Sequence, residues 1–200
     1  MSLANVLACA PAGENLVLLG DPQQLEQPQN GSHPEGSDIS ALSYLVEGSK
    51  TIGQEQGLFL AETWRLHPAI CAFTSELFYE GRLLSLGSVE KQGIQAPEPF
   101  SGAGLWFVPV VHKGNQTYSM EEVERVADVV GFLTRNGSTW TDRHGNVRDL
   151  TLNQILMAAP YNDQVNRLSE RMPAGRVGTV DKFSRARSSG RYLFAEDPDA

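Results

Sequence analysis

Two short stretches hold side chains suited to phosphate and base chemistry. In Gly20-Asp-Pro-Gln-Gln-Leu25, an acid and two amides follow the apolar run Leu16–Leu19. Such a run, closed by Gly-Asp-Pro, reads as a buried parallel strand. The C-terminal end of a parallel strand is the ligand side of an open α/β sheet, where Gln24 could hydrogen-bond a terminal phosphate and report its presence. In Trp64-Arg65-Leu-His-Pro68, an indole could stack on adenine and a guanidinium fork suits a phosphate. Plainer readings exist for each. Asp21 could cap a turn, Trp64 could wedge a domain junction, Arg65 could pair with Glu62, and His67 fits a turn better than catalysis.

The elements that would position these groups alternate between strand and helix. Leu3–Ala10 reads as a helix end, stopped by Pro11 and Gly13. Gln27–Ser37 reads as a polar loop, Ser40–Val46 as a short helix and Gly48–Gly57 as another loop. Pro68 suits a first helical position, and Ile70, Phe73, Leu77 and Phe78 form an apolar stripe ending at Gly81. Ser85–Gly104 reads as an irregular connection, and Leu105–Val111 as a strand. Ser119-Met-Glu-Glu122 matches a capping box opening a helix whose stripe is Val123, Val126, Ala127, Val130 and Leu133. Thr139–Arg148 holds a His-Gly-Asn turn and reads as a hairpin. Ile155–Ala159 and Arg176–Val180 read as buried strands flanking a helix over Tyr161–Met172. This alternation implies a parallel sheet covered by helices.

Bulk composition narrows the class. The 200 residues are 40% hydrophobic and 20% charged, ordinary for a globular chain of one or two domains. No apolar run approaches the roughly 18–20 residues that span a bilayer, and the first residues lack a basic n-region, so neither a membrane span nor a signal peptide is expected. Cys9 and Cys71 form no CxxC and have no histidine at ligand spacing, so neither a metal site nor a disulfide framework is expected. The compartment expected is the cytoplasm. A net charge of −8 counts against a strong stand-alone nucleic-acid binder, though a narrow groove of amides and hydroxyls would tolerate it.

Read together, Asn15–Leu25 and Leu60–Leu83 resemble motifs III and IV of superfamily 1 helicases, nearest the Upf/Dna-type branch. Ala159-Pro-Tyr-Asn-Asp-Gln-Val165 resembles the APYxxQ element of the second motor domain, and Val177-Gly-Thr-Val-Asp-Lys-Phe183 resembles motif V. The resemblance spans Leu3 to Phe183. It implies RecA-like, P-loop-type α/β lobes with ATP and magnesium bound between them, and translocation along single-stranded nucleic acid, DNA ahead of RNA. Some relatives carry a fused nuclease. By this likeness Gln24 senses the γ-phosphate and Arg65 clamps it, with Asp21 and Trp64 also at the nucleotide. Tyr161, Asn162, Gln164 and Thr179 then face the bound strand, where orphan helix amides favour phosphates. The domain division implied is 1–60 for part of lobe 1A, 61–104 for an inter-lobe helix and connection, 105–183 for part of lobe 2A, and 184–200 for a tail.

The same resemblance exposes departures. A phosphate-cradling loop needs GxxxxGK[ST], yet none of Lys50, Lys91, Lys113 and Lys182 follows a glycine, and no Asp-Glu-Ala magnesium motif is present. With only fourteen residues before Asn15, the chain reads as a fragment of a motor, inactive alone. After Phe183 the family continues Gln-Gly-x-Glu, but here Ser-Arg-Ala-Arg-Ser-Ser-Gly follows. Codons can be chosen for Ser184–Asp197 that, read one base on, give Gln-Gly-His-Glu-Ala-Pro-Val-Val-Ile. Residues 184–200 are therefore expected to be an out-of-frame tail that forms no regular strand, and Ser184–Arg187 an imitation of motif VI. Two rival readings are a non-enzymatic nucleic-acid-binding module and the inactive product of a disrupted helicase gene.

Overall fold

The computed structural model describes residues 2–24, 39–46, 48–135, 137–184 and 191–194. The expected loop over Gln27–Ser37 lies outside them, as do Arg185–Arg187 of the motif VI imitation. The chain divides into two compact units, Met1–Leu86 and Gly87–Ala200. The stretch 61–104, expected to link two lobes, is shared between them.

In the first unit, helix α1 (Leu3–Cys9) starts at Ser2, whose hydroxyl accepts the Asn5 N–H, and a turn containing Pro11 follows it. Helix α2 (Ala41–Val46) buries Ala41 and Val46, and α1 buries Val6 against the same side of the unit. Strand β1 (Glu62–Thr63) leads into helix α3 (Pro68–Phe78), and β2 (Leu84–Ser85) returns to pair with β1 in parallel. Proline supplies the preset φ at the first helical position, and His67 Nδ1 accepts the Ala69 N–H at 3.2 Å. Glu80 and Gly81 then adopt positive φ, 55° and 74°, which reverses the chain while the Gly81 N–H caps Ser75 O at 2.9 Å. A non-glycine residue there needs support. Thr51 Oγ1 donates to Glu80 Oε2 at 2.7 Å, and Arg82 reaches Thr51 Oγ1 at 2.6 Å while lying 4.5 Å from the Phe59 ring centre.

The run Leu16–Leu19 is not the expected buried strand. Val17 is 79% and Leu19 87% exposed, and no ladder partner lies beside the run among the described residues. A parallel strand exists only through its neighbours, so apolar composition alone cannot make one.

The second unit begins with β3 (Gly93–Gln95), inside the stretch expected to be irregular. Helix α4 (Met120–Arg135) follows, then β4 (Thr139–Thr141) and β5 (Val147–Asp149). These strands form an antiparallel sheet in the order β3-β4-β5, so the expected hairpin is present and gains a third strand. Leu105–Val111 forms no strand, with Phe107 and Val111 more than nine-tenths exposed. Strand β6 (Ile155–Ala159) leads through helix α5 (Asn162–Arg171) to the parallel strand β7 (Arg176–Thr179) and helix α6 (Val180–Ser184). One face of β6 places Ile155, Met157 and Ala159 in a core with Val123, Val130, Leu133, Leu168 and Val177. The other face packs Leu156 and Ala158 on Phe183.

The tail departs from expectation. Arg191–Phe194 forms strand β8, parallel to β6 and in the register Ile155↔Arg191 to Ala158↔Phe194, which completes the order β7-β6-β8. Ladder bonds come from the backbone, and Tyr-Leu-Phe is a strand-favouring sequence, so it can occupy an open edge whatever its origin. The lobes therefore differ from the two RecA-like sheets expected. Three small sheets are present among the described residues, and one of them is antiparallel.

The hairpin turn yields a test. Asp142 accepts from Asn146 Nδ2 at 2.9 Å, Asn146 N at 3.0 Å and His144 N at 2.8 Å, and these bonds hold its carboxyl down at about 2. A folded pKa below the unfolded value of about 3.9 means the turn is stabilised above pH ~4 and loses that support as pH falls through about 2. Asn146→Ala, which removes the largest cause, should raise the Asp142 titration measured by carboxyl NMR. An unmoved titration would refute this account of the turn.

Candidate nucleotide and nucleic-acid contacts

In the first unit, the Gly20–Gln24 loop folds onto the C-terminal end of α3. Asp21 is the hub. Its Oδ1 accepts the Gln23 N–H at 2.9 Å, and its Oδ2 accepts both Gln24 Nε2 at 3.0 Å and the Tyr79 hydroxyl at 2.6 Å. Gln23 Nε2 donates to Lys50 O at 3.2 Å, and Lys50 Nζ donates to Leu77 O at 2.7 Å, near the helix end. An ammonium suits the last carbonyls of a helix.

Trp64 is 61% exposed, and Arg65 is exposed too. The Arg65 side chain makes no ion pair among the described residues, so the plain alternative of a pair with Glu62 is not realised. No hydrogen bond or ion pair joins Gln24 to Arg65 among the described residues. Gln24 is tied to Tyr79, the C-cap of α3, whereas Arg65 precedes the N-cap His67. Twelve residues at about 1.5 Å each put those helix ends ~18 Å apart.

In the second unit, the register Ala159↔Thr179 places the ends of β6 and β7 side by side. Tyr161 and Asn162 follow β6 after Pro160, so they and Thr179 emerge at one C-terminal sheet edge, beside the N-terminus of α5. Tyr161 is 39% exposed and occupies the N-cap with no side-chain bond to the helix. Asn162 is exposed and Thr179 is half-buried. Tyr161 borders a shallow cleft shared with Pro160, Thr117 and Tyr118, and Arg167 lies 5.0 Å from the Tyr118 ring centre. The sequence reading missed Tyr118 because it belongs to no motif.

Gln164, expected to face a bound strand, is buried at 3% exposure. Its Oε1 accepts the Ser119 N–H at 2.8 Å, and its Nε2 donates to Glu122 Oε2 at 3.0 Å. The capping box of α4 is thus completed through a third residue. Ser119 Oγ accepts the Glu122 N–H at 3.2 Å, but the Glu122 carboxylate turns to Gln164 instead of back to Ser119 N. Position alone explains this. Three residues after Tyr161, a side chain points into the α4–α5 contact, not outward.

The family model described as an AAA domain matches residues 38–185, about three-quarters of the chain. The chain belongs to this family. The human protein named "Probable helicase with zinc finger domain" is 30% identical over 179 residues, covering 88% of this chain and 9% of that protein. The human "3'-5' exoribonuclease HELZ2" is 25% identical over 206 residues, 92% of this chain and 6% of the relative. The mouse "5'-3' DNA helicase ZGRF1" is 37% identical over 76 residues, 36% of this chain and 4% of the relative. This chain is therefore a superfamily 1 helicase region spanning under a tenth of the relatives it matches. The AAA domain is a P-loop NTPase fold, and its helicases typically use ATP with magnesium.

The helicase region meets those groups only in part. Trp64 and Arg65 are free to approach a nucleotide, but among the described residues no three His, Cys, Asp or Glu side chains converge where a metal ion could sit. No hydrolytic step through magnesium is assigned to these residues.

The Gln164 bridge can be tested by removal. Gln164→Ala leaves the buried Ser119 N–H without its acceptor and takes one donor from the Glu122 carboxylate, at a cost of about 1–3 kcal/mol. Urea unfolding should show this loss. A change within ~0.5 kcal/mol would mean that the bridge contributes little.

Proposed function

We propose that this helicase region supplies the nucleotide-sensing and strand-contacting parts of an ATP-driven translocase on single-stranded nucleic acid. The observation that carries this reading is the common sheet edge from which Tyr161, Asn162 and Thr179 emerge. Helix amides and neutral polar side chains there can hold phosphates without a strongly basic surface, as a chain of net charge −8 requires. Gln164 is assigned to holding α4 against α5, so that the strand-facing residues of its motif stay in place. In the first unit, Trp64 would stack on the base, Arg65 would clamp the terminal phosphate, and Gln24 with Asp21 would sense it. The two units would act as partial RecA-like lobes whose remaining strands come from the rest of a longer motor. Phosphoryl transfer to water would be catalysed mainly by such positioned charges. Without a GxxxxGK[ST] lysine in these residues, the chain alone should not turn over ATP.

Fluorescence anisotropy with labelled single-stranded DNA and RNA, with and without ATP, tests the reading. The expected outcome is salt-sensitive binding that does not respond to ATP, weakened about fivefold by Asn162→Ala or Thr179→Ala, the value of one neutral hydrogen bond at about 1 kcal/mol. Binding that ignores both substitutions would remove the proposed strand site. ATP turnover abolished by Arg65→Ala would overturn the claim of inactivity.

A further inference from the structure

The least expected bond in the first unit joins the Gly20–Gln24 loop to a tyrosine 58 positions away. The Tyr79 hydroxyl donates to Asp21 Oδ2 at 2.6 Å, and the same oxygen accepts Gln24 Nε2 at 3.0 Å. A carboxylate offers only acceptors, so the Gln24 amide must turn its NH₂ inward and its carbonyl oxygen outward. Gln24 is exposed.

Orientation decides the chemistry available. A phosphate oxygen is itself an acceptor and needs an N–H, whereas an attacking water needs an acceptor for one of its protons. An amide NH₂ carries two protons and Asp21 takes one, so the amide held this way offers its oxygen to a water and its second N–H to a phosphate oxygen. We propose that Tyr79 is a positioning residue, acting through Asp21 to fix the Gln24 amide in one orientation, so that Gln24 meets a nucleotide's terminal phosphate, and the water beside it, with its oxygen and its second N–H already set. This rests on the reading above, that Gln24 faces the nucleotide.

The surroundings favour a lock of this kind. Tyr79 caps α3, where the chain turns sharply through Glu80 and Gly81, and that turn is braced by Thr51 and Arg82. Its ring lies 6.1 Å from that of Phe59. A donor on so braced a turn can set a loop that has no sheet of its own to hold it. Burial and the Asp21 carboxylate push the Tyr79 hydroxyl well above the usual tyrosine range, which keeps it a donor.

The test is solution NMR of the free chain, with no nucleotide present. Tyr79→Phe keeps the ring and deletes the donor. The Gln24 NH₂ protons should then exchange with water about tenfold faster, which corresponds to about 1.4 kcal/mol. The Gln56 NH₂, bonded to Leu45 O at 3.1 Å in the same unit, serves as the control and should not change. Unchanged Gln24 exchange overturns the proposal, and so does an equal change at Gln56, which would mean general loosening. If Tyr79→Phe does not fold, the wild-type chain still decides. Tyr79 should keep its proton above the usual tyrosine range of about 10, and titration within that range refutes the bond to Asp21. Because no strand or nucleotide enters this experiment, the proposal and the translocase reading can fail independently.

Discussion

Burial of β6 on both faces is the constraint from which the second unit follows. All five residues from Ile155 to Ala159 are buried, so neither face can be left to solvent. One face requires the apolar stripes of α4 and α5, and the other requires Phe183 on α6. Both backbone edges need partners as well, and β7 and β8 provide them. Gly178 shows how tight the closure is, since a Cβ there would meet the Lys182 side chain at 2.6 Å and the Phe183 ring at 3.2 Å. The functional edge is a by-product of this packing. A strand buried along its whole length delivers its first exposed residues abruptly at its end, which is where Tyr161 and Asn162 stand.

The first unit shows what happens when no such strand organises the chain. Among its described residues, one sheet pairs two residues with two, and the buried apolar side chains are few, such as Val6, Ala41, Val46 and Cys71. Leu16, Val17, Leu19, Leu58 and Leu60 are all more than half exposed. Directional bonds hold the unit instead: Lys50 on the end of α3, Arg82 on Thr51, and Tyr79 on Asp21. Such bonds contribute about 1 kcal/mol each in net terms, more where a charge is involved, and they stabilise particular loops more than a whole domain.

Legibility from sequence follows the same division. Helices α3, α4 and α5, strands β6 and β7, and the hairpin were all readable, because each carries its own period, cap or turn signal. Leu16–Leu19 and Leu105–Val111 were misread because apolar composition signals a strand only when a neighbouring ladder exists, and pairing is not a local property. Strand β3 was missed for the converse reason: Gly-Ile-Gln carries little intrinsic signal and becomes a strand by pairing with β4. Strand β8 was argued away with the out-of-frame reading of residues 184–200, although pairing along an open edge depends on the backbone.

The candidate sites divide along a finer line. Motif resemblance placed Tyr161, Asn162, Gln164 and Thr179 in one group, yet the structure separates them by geometry. The first two stand where β6 ends and the helix begins, Thr179 closes the neighbouring strand, and Gln164 lies one turn further along, on the face that α5 presents to α4. A glutamine there can serve the motif by closing the cap of α4 through Ser119 while holding the carboxylate of Glu122. In the first unit the motif residues Asp21 and Gln24 depend in the same way on Tyr79, whose ring fits an apolar stripe and whose hydroxyl no periodicity could flag. In both units a motif member is bonded, across 42 to 58 positions of sequence, to a buried or half-buried residue outside its motif. Spacing reveals the groups that could touch a ligand. The groups that orient them are settled by which helix end or helix face lies opposite, and that is known only once the chain has folded.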